Sequence, residues 1–117
     1  MPDDVSIDLF LEGEDTAAMR KMLEDSGARQ ISRVSQRGLT GIEELLLAII
    51  AAQALANLII RLLPLMNTGV MVDARGSKVS IRKDRSLPNG SVIVITKSGE
   101  KSTFHEPSEV TISNLLK

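Results

Sequence analysis

Val5, Ile7, Leu9 and Leu11 alternate with Ser6, Asp8 and Phe10. This period of two predicts a half-buried strand, ended by Gly13. Asp15 or Thr16 can cap a following helix that carries Ala18, Met19, Met22 and Leu23, with Gly27 as its stop. Between Arg29 and Gly38 the large apolar residues are Ile31 and Val34, set among Arg29, Arg33 and Arg37. That spacing reads as a short edge strand or an ordered loop.

The stretch from Ile42 to Leu63 is rich in Ala, Leu and Ile and predicts one long helix. Thr40 is its candidate cap. Glu43 and Glu44 near the start and Arg61 near the end complement the helix dipole. Pro64 should limit it at or near Leu63. Gln53, Asn57 and Arg61 are four apart and line one stripe of an otherwise apolar cylinder. Three roles follow from such a helix. It is a central core element, an oligomer interface admitting close approach at its Ala positions, or a membrane span. Residues 45–63 would cover about 28 Å at ~1.5 Å per residue, a borderline length for a bilayer. Gln53 and Asn57 in the middle, Arg61 inside the run and the absence of Trp and Tyr argue against a span.

Beyond Met66 the period returns to two. Val70-Met71-Val72 and Val79-Ser80-Ile81 flank Arg75-Gly76-Ser77-Lys78 and predict a hairpin. Leu87-Pro88-Asn89-Gly90 is a turn. Val92 to Ile95 is apolar on both faces, as in a strand covered on both sides. Lys97-Ser98-Gly99-Glu100 turns the chain into Ser102-Thr103-Phe104. Pro107 and Ser108 open a short helix with Val110, Ile112, Leu115 and Leu116. The expected fold is therefore α+β: a single domain over residues 1–117, with an antiparallel or mixed sheet of four to five strands packed against a long apolar central helix and two shorter helices.

Composition narrows the chemistry. In 117 residues there is no Cys, Trp or Tyr, one His and two Phe. That excludes disulfides, thiolate metal sites, a cysteine nucleophile and multi-His metal sites. It also leaves no aromatic platform for single-stranded nucleic acid, so no nucleic-acid partner is expected. The N-terminal segment has no basic or apolar leader region, which together with the lack of Cys points to the cytoplasm. His105 reads as a surface or helix-capping residue. Gly38-Leu39-Thr40-Gly41 lacks a P-loop lysine, and Glu43 and Glu44 would repel phosphate. No catalytic residue, metal site or cofactor is indicated, and the reading is not an enzyme.

Charge is laid out unevenly. Residues 1–27 hold eight acids against Arg20 and Lys21, whereas residues 69–101 hold seven bases against three acids. Opposed ends suit either solvated faces or contacts between subunits. The expected contact surface combines the Gln53, Asn57 and Arg61 stripe with the basic hairpin residues Arg75, Lys78, Arg82, Lys83 and Arg85.

A leading strand and helix, a short edge segment, Gly38-Leu39-Thr40-Gly41 feeding an Ala/Leu-rich helix, a hairpin turning at Ser98-Gly99 and a closing helix from Glu109 to Leu116 form a pattern. It resembles the effector-associated constant component domains of bacterial conflict systems. The chain departs from them in the Val70 to Pro88 hairpin and in lacking their usual Trp. The resemblance implies a non-enzymatic adaptor working beside a separate effector such as a caspase-like or trypsin-like protease. The expected function is thus a self-associating adaptor or assembly module in a bacterial defence or signalling complex. The alternative is a membrane-acting protein whose helix over residues 42–63 inserts after oligomerisation.

Overall fold

A computed structural model describes residues 4–11, 16–38 and 41–116. In chain order the elements are β1 (Asp4–Leu11), α1 (Thr16–Asp25), β2 (Arg29–Gly38), β3 (Gly41–Ala51), α2 (Ala52–Met66), β4 (Gly69–Asp73), β5 (Val79–Asp84), β6 (Ser91–Ile95), β7 (Lys101–His105) and α3 (Glu109–Leu115). The strands form one seven-stranded mixed sheet in the order β2-β3-β1-β5-β4-β6-β7. β1 runs parallel to β5 and β4 parallel to β6, while the other neighbours are antiparallel. The fold is α+β as the pattern predicts, but with seven strands instead of four to five.

The largest correction concerns residues 42–63. They are not one helix. The first half is strand β3 and only the second half is α2. β3 pairs with β1 from Asp4↔Ala51 to Leu11↔Glu44, and with β2 on its other side from Arg29↔Ile49 to Gly38↔Gly41. Leucine and alanine have no strong quarrel with a helix, but a strand hydrogen-bonded along both edges overrides that intrinsic preference. Gly38-Leu39-Thr40-Gly41 consequently joins two strands and does not enter a helix, since Gly38 and Gly41 are cross-strand partners.

The end of the apolar run also differs. α2 passes through Pro64 and ends only at Asn67, which takes the left-handed conformation at φ 59°. A proline in the last turn forfeits one backbone bond, and the left-handed cap then stops the chain. α1 ends as expected. Gly27, at φ 88°, lets its N–H reach the Glu24 carbonyl at 3.0 Å and that of Ala28 reach Leu23 at 2.9 Å, a Schellman cap. Ser108 caps α3 by accepting from the Thr111 N–H at 3.2 Å. The expected roles of Gly13, Asp15 and Thr40 fall outside the described residues.

Burial shows which side of the sheet is closed. Ile7, Leu9 and Leu11 of β1, Leu46, Ala48 and Ile50 of β3, and their alternate counterparts on β4, β5 and β6 join one buried cluster with the helices. From α1 it takes Met19 and Leu23, from α3 Ile112, and from α2 most of one face, including Leu58, Ile59 and Leu62, each fully buried. Burying side chains of this size stabilises by roughly 1.5–3 kcal/mol apiece. The cluster is one-sided, with helices on one face and the sheet on the other.

Candidate functional site: the helix-free face of the sheet

Strand alternation sends every second residue to the side away from the helices. On β1 these are Ser6, Asp8 and Phe10, and on β3 they are Leu45, Leu47 and Ile49. An uncovered sheet face is normally polar. Here β3 instead carries three large aliphatic residues on it. Leu45 stands in register with Phe10 on one side and Val34 on the other. Phe10, Leu47 and Ile49 are half-buried, Val34 is 39% exposed, and none of these four belongs to the core cluster. Met71 of β4 and Ile93 of β6 form a smaller half-buried apolar pair further along the same face. Among the described residues no helix packs over this side.

Several charges on and beside this face are paired within the chain, although the buried Oδ1 of Asp8 has no hydrogen-bond partner among the described residues. Arg29 is ion-paired with Asp4 across β3. Lys78 lies 3.8 Å from Asp8. Arg82 sits over Phe10, 4.3 Å from the ring centroid, a cation–π contact that joins β5 to β1. Arg75 grips Asp73 with Nε at 3.0 Å and Nη2 at 2.8 Å, and its backbone N–H adds a third bond at 3.0 Å. The acidic start of the chain and the basic hairpin therefore meet inside one molecule, because β1 and β5 are neighbours.

The Arg75 side-chain bonds, helped by its backbone N–H, hold the Asp73 carboxyl at about 2, below its ordinary 3.8. The folded value lies below the unfolded one, so this pair stabilises the fold above the ordinary carboxylate range and loses its contribution as pH falls through about 2. Arg75→Ala should return Asp73 toward 3.8, read by a carboxyl carbon NMR titration.

The structure divides the residues expected to form a contact surface. Arg75, Lys78 and Arg82 gather on or beside the helix-free face. Gln53, Asn57 and Arg61 lie on the outer flank of α2, in the opposite layer, where Gln53 and Arg61 are exposed and Asn57 Nδ2 donates to Glu109 Oε2 of α3 at 3.4 Å. Lys83 follows Arg82 on β5 and alternates to the other side, and Arg85 lies just beyond the end of β5 at Asp84. Sequence reasoning missed Phe10, Val34, Leu45, Leu47 and Ile49 as one surface. The signal was present as the β-branched Ile49-Ile50 pair and a Gly-x-x-Gly spacing that fits a two-residue hairpin connection.

Two other places bring polar side chains together. A cavity of about 760 Å³ opens where β1 begins, α2 begins and α3 ends, lined by Asp4, Gln53, Leu55, Ser77, Lys97 and Ser113 among others. Among the described residues its polar groups form no hydrogen-bonded nucleophile–base pair. His105 is exposed on edge strand β7, and its Nδ1 lies 3.1 Å from the Oγ of Ser91, its cross-strand partner. Ser91 is only 4% exposed and its own N–H is spent on the Pro88 carbonyl. That arrangement offers a reacting carbonyl neither access nor an oxyanion donor at the serine. Among the described residues no three of His, Asp and Glu cluster as a metal site would need. Likewise no described helix is long and apolar enough to cross a membrane, α2 being 15 residues.

No family model matches the sequence, and no curated protein or solved structure is significantly similar to it.

Proposed function

We propose that this protein is a non-enzymatic, self-associating assembly module that acts as an adaptor beside a separate effector. The observation that carries this reading is β3, apolar on both faces in a sheet whose helices cover only one. A strand of that composition belongs to a sheet enclosed on both sides. Exposed apolar area concentrated in one place marks an interaction surface. The thin chemistry of the cavity and of the Ser91–His105 pair supports a binding role over a catalytic one. The setting in a bacterial defence or signalling complex, with a protease-like effector, rests on the resemblance in element order alone. In it the Gly-x-x-Gly segment now serves as a strand connection.

Light scattering coupled to size-exclusion chromatography tests the reading. Concentration is followed by refractive index, since Trp, Tyr and Cys are absent. The expected mass is a fixed multiple of the 12.7 kDa chain. A mass that stays at one chain over the whole concentration range overturns self-association.

A further inference from the structure

Asn89 and Gly90 form the tip of the connection between β5 and β6. Residues 88–91 make a type II turn. The Ser91 N–H donates to the Pro88 carbonyl at 3.1 Å, and Gly90 takes the third position at φ 91°. We propose that this turn is a site of spontaneous covalent modification, at which Asn89 loses its side-chain amide as ammonia and becomes aspartate or isoaspartate through a cyclic imide.

The reaction needs a main-chain nitrogen that can approach the carbonyl carbon of the preceding side chain. Glycine has no Cβ to shield its nitrogen. The N–H at the third position of a turn lies outside the turn's own hydrogen bond. Among the described residues, neither the Gly90 N–H nor the Asn89 carboxamide has a hydrogen-bond partner. Asn89 is exposed, so water and hydroxide reach it. The Gly90 nitrogen, deprotonated by hydroxide, attacks Cγ of Asn89. A new N–Cγ bond closes a five-membered imide, and the Cγ–Nδ2 bond breaks with loss of ammonia. Water then opens the ring. Cleavage of the N–Cγ bond gives aspartate on the original main chain. Cleavage of the bond between the Gly90 nitrogen and the Asn89 main-chain carbonyl gives isoaspartate, whose main chain runs through the former side chain.

The other three asparagines lack this setting. Asn57 and Asn114 lie within α2 and α3, each ahead of a leucine whose N–H belongs to the helix ladder. Asn67 precedes Thr68, whose branched Cβ crowds the nitrogen.

The turn is also a joint between strands. The Gly69 N–H of β4 donates to the Leu87 carbonyl at 3.0 Å, and the Glu106 N–H, just after β7, donates to the Gly90 carbonyl at 2.8 Å. With the Ser91 bond, three main-chain contacts gather within five residues. Isoaspartate lengthens the main chain by one methylene inside this joint and should loosen it.

The wild-type chain tests the chemistry. It is incubated at mildly alkaline pH in isotope-labelled water and digested with trypsin, which releases Asn89 in the peptide 86–97. That peptide should gain one mass unit plus one heavy oxygen, at least about tenfold faster than the peptides holding Asn57, Asn67 or Asn114. Its rate should rise with pH, because the attacking nitrogen must lose its proton. A ratio below tenfold overturns the proposal. So does a rate in the folded chain more than about 100-fold below that of the chain unfolded in guanidinium chloride, since the turn would then protect Asn89.

The structural effect is read separately. The isoaspartyl form, purified by chromatography, is compared with Asn89→Asp, which carries the same charge on an ordinary main chain. It should melt about 4 °C or more lower, and its Glu106 amide should exchange with solvent about tenfold faster. Equal melting and equal exchange overturn the loosening of the joint and leave the modification site standing.

Discussion

Lysine in place of Leu46 should abolish folding, while lysine at the adjacent Leu47 should leave the monomer fold intact. Leu46 is fully buried in the one-sided core, whereas Leu47 is half-buried on the helix-free face. An unpaired ammonium at Leu46 costs more than about 5 kcal/mol, as much as a domain of this size has to lose. At Leu47 the head group reaches water directly, and the expected change in monomer stability is within about 1 kcal/mol. Extending the substitution along β3 should give an alternating record, with Ala48 and Ile50 intolerant and Ile49 tolerant. Thermal melts of the series measure it. A helix over the same residues would give a period of 3.6 and pair Leu46 with Ile50 and Gln53. Tolerance at Leu46 or intolerance at both Leu47 and Ile49 would mean that β3 is wrongly placed. Any loss of the proposed self-association in the Leu47 variant lowers the apparent melting temperature only through mass action, so the series is best read at low protein concentration.

The second large effect is expected at Gly69, the first residue of β4. A Cβ built there lies 2.2 Å from the Leu87 Cβ and 3.2 Å from its backbone carbonyl carbon. The two residues are also tied by the Gly69 N–H, which donates to the Leu87 carbonyl at 3.0 Å. The collision cannot be relieved by a rotamer change, because a Cβ moves only with its backbone. Gly69→Ala should therefore displace the 85–90 segment and cost about 3 kcal/mol or more. Urea denaturation measures this. Adding Leu87→Gly removes the atom that is struck, so the double variant should recover part of the loss beyond additivity. Additive losses would show that Gly69 is needed for something other than this contact.

These two sites describe how the chain builds its surface. Gly69 and Leu87 close the hairpin side of the sheet, where β4 and β5 carry Asp73 and Arg82. The β2-β3-β1 side supplies the aliphatic centre. Asp8 and Lys78 pair where the two halves meet, at the parallel contact between β1 and β5. The proposed contact surface thus spans strands that are far apart in the chain, with Arg75, Lys78 and Arg82 of the hairpin on or beside it.

Much of the local structure was legible in the order of residues. The alternation from Val5 to Leu11, the Gly27 stop, the hairpin of Val70-Met71-Val72 with Val79-Ser80-Ile81, the apolar run from Val92 to Ile95 and the Ser108 cap each act over a few neighbours. Each appears as the element the pattern predicts, except that β6, expected to be covered on both sides, lies beside the edge strand β7 with helices over one face only. The same is true of the α+β class and of the edge position of β2. Residues 42–51 were decided by tertiary structure. Their leucines and alanines are acceptable to a helix, and what makes them a strand is two sets of backbone partners, from β1 on one side and β2 on the other. Those partners lie outside the window in which periodicity is read. Gln53, Asn57 and Arg61 keep their stripe, because all three lie on α2, but the residues before them change sides. As a strand, the same run sends Leu46, Ala48 and Ile50 into the core and Leu45, Leu47 and Ile49 to the face without helices. Local propensity set which elements could form, and strand pairing across the sheet decided which side chains were left outside the core.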